Sequence, residues 1–182
     1  MTSFTSFSIW LLSLATLTGQ IIAVLLILLL FLKKFAPKYK AGTKITGFIS
    51  DNYVALILII TAGATLSSLT LSDILGFLPC KLCWFQRAFM YPQVVISGVA
   101  LFTNDFNVKK YLLPLSVIGV VIAVYQIFVQ TFPGIIQCGD EIVSCSLKQF
   151  AGFGYITIPV MSLTAFGLLI LLCLTSSSKK AK

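Results

Sequence analysis

The chain has no histidine. Histidine general-base chemistry, a histidine-ligated metal and a histidine-ligated haem are therefore excluded within these 182 residues. Arginine is almost missing as well. Arg87 is the single one, beside twelve lysines. Only five acids are present, Asp51, Asp73, Asp105, Asp140 and Glu141, and each falls in or beside an expected loop. No carboxylate lies in the middle of an apolar run, which argues against a carboxylate proton relay or ion path. Charged residues make up 10% of the chain, whereas a soluble domain carries about 25%. That shortage excludes an ordinary water-soluble fold, and the 58% hydrophobic content excludes disorder. The net charge of +8 is not a nucleic-acid footprint, because the lysines sit in the gaps between apolar runs.

Long apolar sequence is what the chain has in abundance. Five runs, residues 8–32, 53–71, 84–102, 111–132 and 155–174, are each long enough to cross about 30 Å of hydrocarbon as a helix. Runs this continuous are helices, not the alternating strands of a barrel. The sequence therefore predicts an all-α membrane protein with five spans and no separate soluble domain. Lys33, Lys34, Lys38, Lys40, Lys44, Lys109, Lys110, Lys179, Lys180 and Lys182 then share one side, against Lys81, Arg87 and Lys148 on the other. The excess of positive charge places the first group in the cytoplasm. The loops at 72–83 and 133–154 then face outward. The first run is far longer than the apolar core of a signal peptide, and no Lys or Arg precedes it. A retained reverse anchor is the preferred reading over cleavage. Gly19 and Gln20 interrupt it mildly, as helix packing would explain.

Four of the five cysteines fall in the two outward loops: Cys80 and Cys83 in one, Cys138 and Cys145 in the other. That is the face where disulfides persist. Cys80-Lys81-Leu82-Cys83 sits where a loop meets the start of a span. Unpaired amides and the macrodipole at a helix start favour a thiolate, and such motifs have lowered thiol pKa values. Arg87 lies one turn beyond Cys83 on the same helix face. Its guanidinium can steady a thiolate there and hydrogen-bond a ligand carbonyl; the competing role is snorkelling to lipid phosphate. Trp84, Phe85 and Tyr91 fit an interfacial aromatic belt, or a slot for a quinone ring. Pro92 should kink the span. Cys138 and Cys145, with six residues between them that include Gly139, Asp140 and Glu141, suit a small labile loop disulfide or a plain staple. A four-thiolate zinc site fits poorly, since the second pair lacks short ligand spacing; no metal is expected. A redox relay fits better, with a loop pair meeting a soluble partner and a membrane-seated pair meeting a lipid-soluble acceptor. Cys173, in the last span, reads as core packing. The rival to a relay is a scaffold or transporter subunit with two structural disulfides.

Leu78-Pro79-Cys80-Lys81-Leu82-Cys83-Trp84-Phe85-Gln86-Arg87 with Met90-Tyr91-Pro92 resembles the signature of the disulfide bond formation protein B (DsbB) family, in its BdbC-like branch. So does Cys138 to Cys145 followed by Phe153-Gly154-Tyr155-Ile156-Thr157-Ile158-Pro159. The resemblance covers about residues 50–172. It implies a four-helix bundle in the bacterial cytoplasmic (inner) membrane that reoxidises an extracytoplasmic, DsbA-like thioredoxin-fold thiol oxidase and reduces a quinone, ubiquinone or menaquinone. By position, Cys80 and Cys83 match the quinone-facing pair, with Cys83 next to the quinone and Arg87 beside its ring. Cys138 matches the cysteine that joins the partner, and Cys145 the mate that exchanges with Cys80. Residues 1–46, an extra helix and basic loop, depart from the family pattern; 47–175 form the bundle and 176–182 a basic tail. Many relatives carry a histidine where Gln126 stands, so an imidazole role does not transfer. The vitamin K epoxide reductase group is similar, but there the loop pair precedes the Cys-x-x-Cys motif.

Overall fold

The computed structural model describes residues 3–35, 40–132 and 144–176. Five helices run through them: α1 Ser3–Phe35, α2 Lys40–Leu69, α3 Lys81–Thr103, α4 Lys109–Thr131 and α5 Ile158–Thr175. A π-helical turn, Thr70–Ile74, prolongs α2. A single bridge between Gly152 and Ile156 is the only β-type pairing among the described residues. The expected all-helical architecture is what the chain adopts. Its apolar runs can satisfy their amides in lipid only within helices. Local chemistry marks the ends. Asn104, at a left-handed φ of 53°, closes α3 by donating its amide to the carbonyls of Ala100 and Leu101. Pro159 starts α5, where its missing N–H costs nothing.

Helices α2, α3, α4 and α5 pack in a ring, each against the next and α5 against α2. Helix α1 lies outside the ring against α5 and α2. Tyr53, Ile57, Leu112, Phe166 and Leu169 fill the middle. The Phe166 ring lies where a side chain on Gly119 would stand: a Cβ there would be 2.4 Å from it. Outward faces carry large apolar side chains such as Phe7, Trp10, Val121 and Phe102. That surface suits hydrocarbon and not water.

Among the described residues, four helices are long and apolar enough to cross a membrane: α1, α2 with its prolongation, α4 and α5. Helix α3 matches α4 in length at 23 residues but is less apolar, because it carries Gln86, Arg87, Gln93 and Ser97. Gln86, Gln93 and Ser97 are buried among the helices, so their polarity faces the bundle. Gln93 accepts a hydrogen bond from Ser116 Oγ on α4 at 3.0 Å. The expected third span is thus a helix whose polar groups serve its neighbours. Helix α2 starts at Lys40, earlier than the 53–71 run, and crosses the expected boundary at 46/47.

Contacts between loops identify the two ends. At one, the Tyr53 hydroxyl donates to the Phe106 carbonyl and Lys109 Nζ donates to the Ser176 carbonyl at 3.4 Å. At the other, Gln149 Nε2 donates to the Leu78 carbonyl at 2.7 Å, and the Phe77 and Phe150 rings lie 5.6 Å apart. The segments that carry Cys80 and Cys145 therefore share one end of the bundle.

Candidate functional site: a cysteine cluster above an apolar cavity

Cys80 is the residue that precedes α3, with extended backbone at φ −73° and ψ 171°. Its carbonyl accepts the Trp84 amide at 3.1 Å, which starts the helix. One turn of helix brings Cys83 back beneath it, and the two Sγ atoms stand 2.9 Å apart. The spacing of the motif thus places both sulfurs at a helix N-terminus, where free amides favour negative charge. The hydrogen bond with Cys83, and then burial, push the Cys80 thiol well above the ordinary range. Cys80 therefore holds the proton of the pair.

Cys145, 2% exposed, packs with Cys80 and Val129 in a small cluster apart from the main core. Sequence reasoning put Cys145 in a second loop, and the fold brings it against the first of the motif cysteines. Cys138 lies outside the described residues. Cys173 is buried in the main core beside Leu169 and Leu172, as expected of a packing residue.

Gln126 of α4 is 2% exposed and reaches both motif sulfurs. Its Nε2 lies 3.2 Å from Cys80 Sγ and 3.4 Å from Cys83 Sγ. Its Oε1 accepts from Gln86 Nε2 of α3 at 2.7 Å. The amide is therefore used at both ends. Gln126 serves the sulfurs directly, and Gln86 fixes which way its amide points.

Arg87 bridges two helices. Its Nε donates to Ser68 Oγ and its Nη2 to the Ser68 carbonyl, both at 2.9 Å. The guanidinium also lies 5.1 Å from the Trp84 ring centroid. These contacts tie α3 to α2 one turn beyond Cys83. Trp84 and Phe85 are exposed on the outer surface, in keeping with an aromatic belt.

Below the cysteines lies an apolar cavity of about 800 Å³ between α1, α2, α3 and α5. Cys83, Gln86, Arg87, Tyr91 and Gln149 supply polar groups to its wall. Cys80 does not line it. A water-sized void of about 10 Å³ beside it touches Cys80, Cys83, Gln126 and Gln149. Cys83 thus stands between the cysteine cluster and the cavity. Two buried polar atoms on the cavity residues lack any partner: the Tyr91 hydroxyl and Gln149 Oε1. Orphaned buried groups of this kind cost about 1–3 kcal/mol each, a cost that a ligand with polar atoms would offset on reaching them. Sequence reasoning missed Ser68 and Gln149. Their only signal is position near the expected loop ends, and neither has a motif.

A family model described as "Disulfide bond formation protein DsbB" matches residues 50–176. "Disulfide bond formation protein C" of Bacillus subtilis (strain 168) is 45% identical over 120 residues, which cover 64% of this chain and 86% of that protein. A "Probable disulfide formation protein" of Chlamydia caviae is 42% identical over 135 residues, 73% of this chain and 97% of its own. One of the same description from Chlamydia pneumoniae is 42% identical over 123 residues, 66% and 87% of the two chains. No solved structure gives a significant match. The family match begins inside α2 and ends just past α5, so α1 lies outside it.

Proposed function

The chain belongs to the disulfide bond formation protein DsbB family, a family of membrane thiol oxidoreductases, and on that premise we propose that it reoxidises a DsbA-like thioredoxin-fold thiol oxidase outside the cytoplasm and delivers the electrons to a membrane quinone. The observation that carries this reading is the polarity of the motif pair. Cys80 packs against Cys145, while Cys83 borders the apolar cavity beside Arg87. One sulfur faces the second cysteine segment and the other faces a space fit for a lipid-soluble acceptor.

The chemistry runs through the chain's own sulfurs. A thiolate of the reduced partner attacks Cys138 of a Cys138–Cys145 disulfide, and Cys145 leaves as thiolate. Cys145 attacks Cys80 of a Cys80–Cys83 disulfide and releases Cys83 as thiolate. The partner's second thiol displaces Cys138 and leaves the partner oxidised. Cys138 then attacks Cys145, which restores the loop disulfide and frees Cys80 as the second thiol of a reduced motif pair. Re-forming the Cys80–Cys83 bond sheds two electrons and two protons, and a bound quinone, ubiquinone or menaquinone, supplies the acceptor for them. Arg87, Tyr91 and Gln149 are the residues that would hold its polar ring. Gln126 donates to both sulfurs, stabilising the reduced pair. The direction follows from potential, since about 30 mV is ~1.4 kcal/mol for a two-electron couple. In this reading the cysteine end of the bundle faces outward from a bacterial cytoplasmic membrane, and the lysine-rich end faces the cytoplasm.

The test follows the partner's thiols in membranes that contain this chain, with and without added quinone. Quinone-dependent thiol loss is expected, abolished in Cys83→Ser. Thiol loss should stop in Cys145→Ser as well, since it has no loop disulfide for the partner to attack, and a partner variant that keeps only its attacking cysteine should stay joined to Cys138 of the unmodified chain as a reducible higher-mass band. Unchanged thiol loss in both variants would sink the relay and leave the two pairs as staples of a membrane scaffold.

A further inference from the structure

The helix outside the family match forms one wall of the cavity under Cys83. Leu12, Ala15, Gly19, Ile22 and Leu26 of α1 line it. Their spacing of three and four residues puts them on one helical face. Fourteen rises of 1.5 Å from Leu12 to Leu26 make a lined wall about 21 Å long. Ile60 and Ala64 of α2 and Leu168 of α5 line the same cavity. The reacting sulfur, the guanidinium and Gln149 gather at one end; the α1 wall is mostly apolar.

Helix α1 is seated by specific contacts. Gln20 accepts a hydrogen bond from the Tyr155 hydroxyl at 2.7 Å and donates to Thr164 Oγ1 at 3.4 Å. Ser13 fills the space that a side chain on Gly152 would need: a Cβ there would lie 1.9 Å from Ser13 Oγ. A Cβ on Gly19 would lie 3.2 Å from Thr164 and 3.3 Å from Leu168, so the two helices approach closely at that point. Along the cavity α1 presents the small Ala15, where a larger side chain would take up part of the space.

We propose that α1 forms the wall of a channel for the isoprenoid tail of the quinone, and so sets which tails this protein accepts. The inference rests on the quinone reading above. A tailed quinone matches the cavity in three respects: a polar head at the sulfur end, orphaned polar atoms on Tyr91 and Gln149, and a long apolar wall.

The experiment uses the full chain in liposomes with two quinones that share one ring, one tail-less and one bearing a long isoprenoid tail. Ala15→Phe narrows the channel without touching the cysteine cluster. It is expected to raise the apparent KM for the tailed quinone by about tenfold or more. For the tail-less quinone KM should stay within about twofold. Equal KM changes for both quinones, or none for either, would overturn the proposal. A second readout needs no variant and no turnover. A quinone with a photoreactive group at the tail end should label residues 12–26 of the unmodified chain. Label absent from those residues overturns the channel, and so does label that, with the protein in detergent, an equimolar phospholipid fully displaces, which would make the groove a lipid seat. Loss of the quinone reading has a different signature: the unmodified chain oxidises partner thiols at the same rate with and without quinone, while the photolabel still decides whether α1 holds a tail.

Discussion

The Nε2 of Gln126 stands 3.2 Å from the Sγ of Cys80, across the interface of α3 and α4. A second contact from the same nitrogen reaches Cys83 at 3.4 Å. A donor aimed at both sulfurs stabilises the reduced pair more than the oxidised one, because a thiolate is the better acceptor. Gln126→Leu removes that donor and strands the Gln86 amide. Hydrogen bonds to charged groups are worth about 1.5–3 kcal/mol, or roughly 30–60 mV for this couple. The Cys80–Cys83 potential is expected to move that far in the negative direction. Equilibration of the purified protein with defined thiol–disulfide buffers measures it. An unmoved potential would leave Gln126 as packing alone.

Arg87 makes a separable prediction. Its two hydrogen bonds end on Ser68, so the side chain is fixed by α2 before any ligand arrives. Arg87→Ala is expected to raise the apparent quinone KM about tenfold or more while the KM for the partner oxidase holds. Arg87→Lys should restore little, because an ammonium cannot reproduce a planar fork that meets a hydroxyl and a carbonyl at once. Steady-state kinetics with each substrate varied in turn separates the two constants. A fall in protein abundance with unchanged constants would make Arg87 an anchor only.

How much of this could be read from sequence depends on whether the signal is local. The Cys-x-x-Cys turn and the position of Arg87 four residues on are local, and helical periodicity alone places them. The apolar runs likewise fix helices wherever water cannot satisfy a backbone amide. Ser68 and Gln149 were not legible, because their roles depend on the register between α2 and α3 and on a loop folding back over Leu78. Gln126 was legible as a position but not as a partner of sulfur. Only the crossing of α3 and α4 reveals that Gln86 takes up its carbonyl oxygen. The lower hydropathy of α3 has the same origin, since its glutamines are spent on neighbouring helices and not on lipid.

Gly119 tests the packing that holds the ring of helices together. The Phe166 ring, fully buried, occupies the space beside its Cα, and a Cβ there would meet it at 2.4 Å. Gly119→Val should therefore cost about 1–3 kcal/mol of stability through overpacking. Thermal unfolding of the purified protein in detergent is expected to shift down. Below the transition, thiol oxidation should be unchanged, because the site lies at the cysteine end and Gly119 lies midway along α4. An unshifted transition would mean that α4 and α5 can part without cost.

The protonation of Cys80 gives the last prediction. Its hydrogen bond with Cys83, followed by burial, drives its thiol well above the ordinary range. Alkylation proceeds through the thiolate, so its rate tracks the deprotonated fraction. In the reduced protein Cys80 should resist iodoacetamide across neutral pH and gain reactivity only as the solution turns strongly alkaline. Burial alone would produce slow labelling too, and a second variant separates the two causes. Cys83→Ala removes the larger one and leaves Cys80 as deep as before. Its alkylation should then begin at lower pH, with the midpoint moved toward that of an ordinary thiol. Mass spectrometry of the Cys80 peptide across a pH series reads the midpoint directly. If the midpoint is the same with and without Cys83, the proton is held at Cys80 by burial, and the pairing of the two sulfurs does not set which one attacks.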